Sequence, residues 1–521
     1  MSKKRIIVVG NGMVGHNFLA TMAESEKASE FELITFSEEP RLAYDRVQLS
    51  KYFSGATAAD LALTTESEYD DSGITYLKNE KVVEIDADNK TITTSTGRIE
   101  GYDKLVLATG SYPFVPPIPG KDQDHCLVYR TIEDLEAISA SAEVSKTGVV
   151  VGGGLLGLEA ANALKEAGLD THVVEFAPRL MAVQLDEGGG NLLRHKIESL
   201  GVSVHTEKNT KEIVAGEECR YRMNFADGSH LETDMILFSA GIRPQDELAR
   251  QFGIDVGERG GIVINDYCQT SEEDIYAIGE CALWDSKIFG LVAPGYQMAK
   301  VTAAHITDTL VNLKTPELAF KGADMSTKLK LLGVDVASIG DAHGHTAGSQ
   351  SFVFSDDIEE VYKRLIVSAD GKKLLGAVLV GETESYGTLL QLMLNDMDIP
   401  GNPAALILPA LGDEAPAGLG VTALPDTAQI CSCYDVSKGD IAAAVQGGCC
   451  TMGDIKGATK ATSGCGGCAA LTKQVMDAEL EALGVEVNND LCEHFAYTRA
   501  ELADIIRVKG YASFKDVLQG H

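Results

Sequence analysis

The sequence predicts an α/β protein: two parallel-sheet βαβ units, each opened by a glycine loop, then a mixed α+β unit and a small helical unit with a four-thiolate site. Three observations carry this reading. The stretch RIIVVGNGMVGHNFLATMAE places Gly10, Gly12 and Gly15 between a buried-strand pattern (Ile6 to Val9) and a helix. TGVVVGGGLLGLEAANALKEAGLDTHVVEF repeats the arrangement with Gly152, Gly154 and Gly157. Near the end, six of the 11 cysteines crowd between Cys431 and Cys468, bracketed by a C-x-C and a C-x-x-C.

In each loop the first glycine permits a tight turn, the second lets the backbone approach a pyrophosphate, and the third lets helix and strand pack closely. The pyrophosphate sits on the helix N-terminus, where free N–H groups and the dipole favour an anion. Each loop also has an acid at the end of the next strand. In FELITFSEEP it is Glu38, with Glu39 the second choice, to accept from ribose hydroxyls. In THVVEF it is Glu175, whose carboxylate suits a ribose 2′-hydroxyl and repels a 2′-phosphate. That favours NADH over NADPH. Arg179 pulls the other way, because an arginine accommodates that phosphate. Two loops imply two dinucleotides, and FAD with NAD(P)H is the natural pair.

Three further segments make the chain resemble the two-dinucleotide-domain flavoprotein reductases. They are LVLATGSYP with Ala108, Thr109 and Gly110, LFSAGIRP with Ala240, Gly241 and Pro244, and IYAIGEC with Gly279 and Glu280. The resemblance implies that the first two cross between domains. It implies that Glu280, where most members have Asp, meets the FAD ribityl chain. AYDRVQLSK resembles the ferredoxin-reductase branch, which implies Lys51 near the flavin and Tyr44 and Arg46 near the adenosine half. By the same resemblance Val82, Arg130 and Ala293 touch FAD and Glu159 faces the nicotinamide. Lys51 and Glu159 are thus the catalytic candidates, as cofactor neighbours. Read alone, Val82 and Ala293 are ordinary core and Glu159 a surface helix acid. Disulfide reductases of this architecture carry a redox dithiol near the first βαβ unit. Residues 40–60 hold no cysteine, so electrons are expected to leave the flavin by another route.

The expected domains are 1–118 with 246–318 for FAD, 119–245 for NAD(H), 319–407 as an α+β interface domain, a linker at 408–428, and the thiolate unit at 429–486. The interface assignment rests on resemblance, on strand-like runs around a turn at Ala369–Gly371, and on the amphipathic SYGTLLQLMLNDMD. The linker is read from LPALGDEAPAGLGVTALPDTA, rich in Pro, Gly and Ala.

Four cysteines can hold zinc or a [2Fe-2S] cluster, or pair as disulfides. Structural zinc normally uses two C-x2–4-C arms, which a C-x-C does not match. Glycines beside Cys465 and Cys468 let backbone N–H groups approach sulfur, which stabilises a thiolate-bound cluster. The spacing resembles the bacterioferritin-associated-ferredoxin (BFD-like) type of [2Fe-2S] domain, and that implies ligands Cys431, Cys433, Cys465 and Cys468. Ser437 is expected to cap a short helix. Cys449 and Cys450 are expected in the core of the small domain, and Cys126, Cys219, Cys268 and Cys281 as buried apolar thiols. Residues 487–521 look like the start of a second, incomplete unit: CEHFAYTRAELADII repeats CSCYDVSKGDIAAAV, with His494 in place of Cys433 and Thr498/Glu501 matching Ser437/Asp440. A plain capped helix is the alternative.

The 521 residues exceed one core, and the net charge of −33 opposes binding to nucleic-acid phosphates or anionic membranes. No apolar signal core or membrane span is present, so a cytoplasmic location is expected. The order of domains resembles the N-terminal part of the large subunit of NADH-dependent nitrite reductases. That family continues into a sirohaem and [4Fe-4S] domain, which these residues do not include. The resemblance implies electron delivery from NADH through FAD to the cluster, then to a one-electron acceptor such as a sirohaem domain or subunit. It is compatible with a homodimer. Two alternatives stand: a self-contained NADH:acceptor reductase serving rubredoxin, ferredoxin or a nitrate reductase, and a non-catalytic iron-handling or redox-sensing module.

Overall fold

In the computed structural model the apolar run before the first glycine loop is strand β1 (Lys4–Val9), with Ile6, Ile7 and Val8 fully buried. A run that is apolar on both faces suits a parallel strand covered by helices on each side. The structure describes residues 3–311, 318–399, 401–408, 421–432, 434, 436–463, 467–485, 497, 499–511 and 516–517. They divide into two units, Met1–Gly418 with Ser432–Tyr434, and Leu419–Cys431 with Asp435–His521.

In the first unit β1 is central to a five-stranded parallel sheet. Strands β2 (Phe31–Phe36) and β3 (Ile74–Leu77) lie on one side, and β4 (Lys104–Leu107) and Ile275–Ala277 on the other. Strand order reverses at β1, so a crevice opens at its C-terminal end, where Gly10 stands. Helix α1 (Met13–Ala23) packs on the long helix Val292–Val311, so residues far along the chain complete this layer.

A second parallel sheet repeats the plan. Strand β5 (Thr147–Val151) is central, with β6 (Asp170–Val174) and Ser203–His205 on one side and Met235–Phe238 and Cys126–Val128 on the other. Its reversal point is β5, above Gly152, and helix α2 (Leu155–Glu166) follows.

The α+β expectation is met by a five-stranded antiparallel sheet over 327–380, with the helix Tyr386–Leu394 packed on it. The turn expected at Ala369–Gly371 forms, with Gly371 at φ +74°. Asp186, which caps the helix Glu187–Ser199, accepts hydrogen bonds from Tyr362 (2.6 Å) and Arg364 (3.0 Å) of this sheet. Gly188 lies flat against the Tyr362 ring, where a Cβ would come within 2.4 Å of it.

The second unit contains a hairpin, Gln429–Cys431 with Val436–Ser437, followed by helices Lys438–Gln446, Met452–Thr459 and Ala469–Ala482. The Ser437 cap forms as a capping box with Asp440, an arrangement worth about 1 kcal/mol. Three expectations need correction. The linker does not reach residue 428: Val421–Ala423 is helical, Leu424 and Ala428 are buried, and Lys438 donates to the Leu424 carbonyl at 2.9 Å. Cys449 is half-buried and Cys450 exposed, so this pair is not core. They occupy the turn before Met452–Thr459, where Thr451 and Asp454 form the cap and the Cys450 N–H also binds Asp454. Elsewhere Cys268 and Cys281 are buried as expected, while Cys126 and Cys219 are half-buried. The helix Arg499–Lys509 lies where the tail repeat puts one; Cys492, His494 and Thr498 fall outside the described residues.

Candidate active site

Each glycine loop is a cradle that a side chain would fill. A Cβ on Gly10, which sits at φ +106°, would lie 2.3 Å from the Ala108 carbonyl oxygen, and one on Gly15 2.2 Å from the Gly10 oxygen. At the second loop a Cβ on Gly152 would meet the Ser239 oxygen at 2.2 Å, and one on Gly157 the Gly152 oxygen at 1.9 Å. Gly12 and Gly154 face open space. They are the N-caps of α1 and α2, and neither helix has a side-chain cap. Two helix N-termini thus present free N–H groups at the reversal points of two sheets, the geometry that takes a pyrophosphate.

Around the first loop the segments quoted from the sequence converge. Ser111–Pro113 pairs antiparallel with Ile242–Pro244. The Gln245 N–H donates to the Gly110 carbonyl (2.9 Å), and the Thr109 hydroxyl to the Gln245 carbonyl (2.6 Å). Gly110 and Gly241 both have positive φ, which the turns into this ladder require. Glu280 accepts from Arg130 (2.7 Å) and from the Ser111 hydroxyl (2.6 Å). Gly279 and Gly295 both pack on Val14, which brings Glu280 and the start of the Val292–Val311 helix, with Ala293, beside α1. Val82 is 4% exposed and belongs to the apolar core, so its main chain is what it can offer.

The two acids after β2 have separate duties. Glu39 accepts from Tyr44 (2.8 Å) and from Arg46, whose other amino group donates to the Arg130 carbonyl (3.1 Å). Glu38 is exposed at the rim, paired with Lys81 (3.1 Å) and accepting from the Gln245 amide (3.2 Å). Sequence reading missed Ser111, which carries no pattern of its own. It also missed Asp134, which accepts from the main-chain N–H groups of Arg130 (3.0 Å) and Thr131 (2.8 Å); the T-x-x-D cap signature at Thr131 could have found it.

Lys51 is exposed and its amine is hydrogen-bonded to Gln48. Its segment packs on α2, which carries Glu159, but among the described residues the two form no ion pair. Glu159 lies beside the buried Tyr129, whose hydroxyl finds no hydrogen-bond partner among the described residues. Burial pushes the Glu159 carboxyl up from 4.5 to about 7. Between those values the folded state binds more protons than the unfolded chain, so stability falls as pH rises across that window. Glu159→Gln is therefore expected to raise the melting temperature above pH about 7 and leave it unchanged below 4.5, by thermal denaturation at both ends. An equal gain at both would assign the effect to packing.

At the second loop Glu175 accepts from the Gly153 N–H and from the Ala177 N–H (2.7 Å). Arg179 is directed elsewhere: its Nε donates to the Leu185 carbonyl (3.0 Å) and its stem lies on Gly190.

In the second unit Cys431 is 2% exposed and its thiol is hydrogen-bonded to that of Cys468. That bond, with burial, holds the Cys468 thiol far above its ordinary range. The main-chain N–H of Thr462, a residue at φ +67°, is also directed at the Cys468 sulfur. Paired thiols, Cys431 buried and Cys468 half-buried, with an N–H donor are the soft set that iron–sulfur groups take as thiolates. Cys433 and Cys465 lie outside the described residues.

Residues 4–305 match the family model described as pyridine nucleotide-disulphide oxidoreductase. The chain belongs to the pyridine nucleotide-disulphide oxidoreductase family. Residues 326–397 match the rubredoxin NAD+ reductase C-terminal domain, and 429–478 the BFD-like [2Fe-2S] binding domain. This oxidoreductase is thus an FAD-dependent NAD(P)H enzyme with a [2Fe-2S] domain. Over 522 residues it is 58% identical to the large subunit of a nitrite reductase (NADH) from Escherichia coli, matching 100% of this chain but 61% of that subunit. It is 36% identical to an assimilatory nitrate reductase electron transfer subunit of Bacillus subtilis, over 91% of this chain and 60% of that one. In fold it is similar to a ferredoxin reductase from Rhodopseudomonas palustris, with a TM-score of 0.67 at 23% identity, over 76% of this chain and 96% of that one. No described helix of this oxidoreductase is long and apolar enough to cross a membrane.

Proposed function

We propose that this chain is the electron-delivering part of an NADH-dependent nitrite reductase, working in the cytoplasm and passing electrons to a sirohaem domain or subunit. The observation that carries the delivery reading is the pair of uncapped helix N-termini at two sheet reversals, on a chain that also pairs the Cys431 and Cys468 thiols. The nitrite assignment rests on the relatives, of which this chain spans only part.

When bound, FAD would supply hydride acceptance from a nicotinamide and release of single electrons, and a [2Fe-2S] cluster would supply a one-electron relay. The residues supply binding and orientation. Gly10, Gly12 and Gly15 cradle the FAD pyrophosphate, and Glu38 takes the ribose, since Glu39 is spent on Tyr44 and Arg46. Arg130 and Ser111 orient Glu280 toward the ribityl chain, and Ala108, Thr109, Gly110, Gly241, Val82 and Ala293 complete that wall. Gly152, Gly154 and Gly157 hold the NADH pyrophosphate, and Lys51 and Glu159 flank the flavin and nicotinamide. Glu175 takes the ribose 2′-hydroxyl. The Arg179 Nε donates to the Leu185 carbonyl and its stem lies on Gly190, which supports NADH over NADPH. Cys431, Cys433, Cys465 and Cys468 hold the cluster.

Anaerobic mixing of the FAD-loaded chain with NADH is expected to bleach the flavin, with NADPH at least about tenfold weaker, a difference of about 1.4 kcal/mol. No bleaching with either would end the enzyme reading. Nitrite consumption on adding an isolated sirohaem nitrite reductase domain, with NADH and this chain both required, tests the acceptor. Cytochrome c reduction without any nitrite consumption would favour the self-contained reductase instead.

A further inference from the structure

We propose that Phe176 is the platform on which the adenine ring of NADH stacks, an inference that rests on reading the second loop as the NADH site. Phe176 follows Glu175 just past the end of β6, the strand next to the reversal strand β5. It is 74% exposed. Among the described residues the other exposed aromatic is Tyr112, at 52%. An aromatic ring left in water forfeits the free energy of burial, and its place in the fold gives it an occupant.

The order of parts along a dinucleotide sets what lies over Phe176. The pyrophosphate belongs on the N-terminus of α2 and the ribose on Glu175, so the base continues past Glu175, away from the loop. The Glu175 carboxylate is held by main-chain donors from Gly153 and from Ala177, the residue after Phe176. The Glu175 main chain is pinned as well, donating to the His205 carbonyl (2.8 Å) and accepting from the Lys208 N–H (3.0 Å). The base of Phe176 is therefore fixed while its ring stands free.

Polar groups nearby are committed elsewhere. The Lys208 amine binds Asp227 and Ser229, the Arg179 Nε donates to the Leu185 carbonyl, and the Thr206 hydroxyl accepts from Arg194. Recognition of the base falls to a π-face, which any adenine presents and which aromatic side chains answer by stacking.

The test uses the FAD-loaded full chain in anaerobic stopped-flow reduction by NADH and by reduced nicotinamide mononucleotide, which lacks the adenosine. Phe176→Ala is expected to raise the half-saturating NADH concentration on the order of tenfold. The limiting rate of flavin reduction and the response to the mononucleotide stay unchanged, and Phe176→Tyr behaves as the parent does. If Phe176→Ala leaves NADH saturation alone while Glu175→Ala weakens it, the stacking proposal falls and the second-loop reading stands. If neither substitution moves it, both fall. An equal loss with the mononucleotide would mark Phe176 as structural and overturn the proposal.

Discussion

Gly10→Ala is expected to yield a chain that purifies without flavin, and whose melting temperature is lowered. Two costs combine at this residue. Its φ of +106° lies where a Cβ is strained, and the added carbon would stand 2.3 Å from the Ala108 carbonyl oxygen, inside any real contact distance. Neither neighbour can yield cheaply. The Gly10 N–H donates to the Phe36 carbonyl (2.8 Å) and the Ala108 N–H to the Val9 carbonyl (2.8 Å), so both sides of the clash are sheet backbone. Left-handed strain of about 1–2 kcal/mol and overpacking of about 1–3 kcal/mol are a large share of a domain's net stability. The relief available is to open the turn, and opening it moves the α1 N-terminus off the pyrophosphate. Flavin absorbance of the purified protein and a thermal melt check both effects. Gly12→Ala is the contrast: a Cβ there meets nothing within 4 Å, so the fold should tolerate it while FAD binding weakens. Full flavin occupancy in Gly10→Ala would remove the first loop from the FAD site.

Cys468→Ser is expected to abolish the iron–sulfur absorbance, taking bound iron from about two per chain to near zero, while NADH still bleaches the flavin. A serine hydroxyl replaces the soft thiolate donor with a hard oxygen, and the Cys431 thiol loses its partner in a buried place. The flavin reading is insulated because the two glycine loops and their acids all lie in the unit Met1–Gly418, whereas Cys468 lies in the other. Iron analysis, visible spectra and anaerobic NADH titration separate the outcomes. Equal loss of flavin reduction and cluster would make the thiolate unit structural to the flavin site, and retention of the cluster would remove Cys468 from its ligands.

Much of the architecture was legible because its signals are local. G-x-G-x-x-G after a buried apolar strand fixes turn, helix start and packing distance within one short segment, and the structure builds both loops that way. Ser437 and Asp440 announced their helix through a cap only three residues wide. Cys449 and Cys450 were misread because hydrophobicity alone suggests burial, while the capping of Met452–Thr459 holds that turn at the surface. The stretch 421–428 was misread because Pro and Ala suit a linker, yet Leu424 and Ala428 are buried, which composition does not reveal.

By itself the sequence determined two glycine loops, each between a buried strand and a helix, an acid after each following strand, and the C-x-C and C-x-x-C spacing, since each depends on residue type at short range. Tertiary structure alone decided which partners each acid takes. Glu38 and Glu39 are adjacent, and only folding brings Tyr44 and Arg46 onto Glu39. Arg179 is four residues from Glu175, and only folding lays its stem along Gly190 and its Nε on the Leu185 carbonyl. Phe176 looks like any strand-end aromatic until burial shows its ring uncovered. Commitments of this kind depend on hydrogen-bond partners and solvent exposure set by distant segments, which spacing along the chain does not encode.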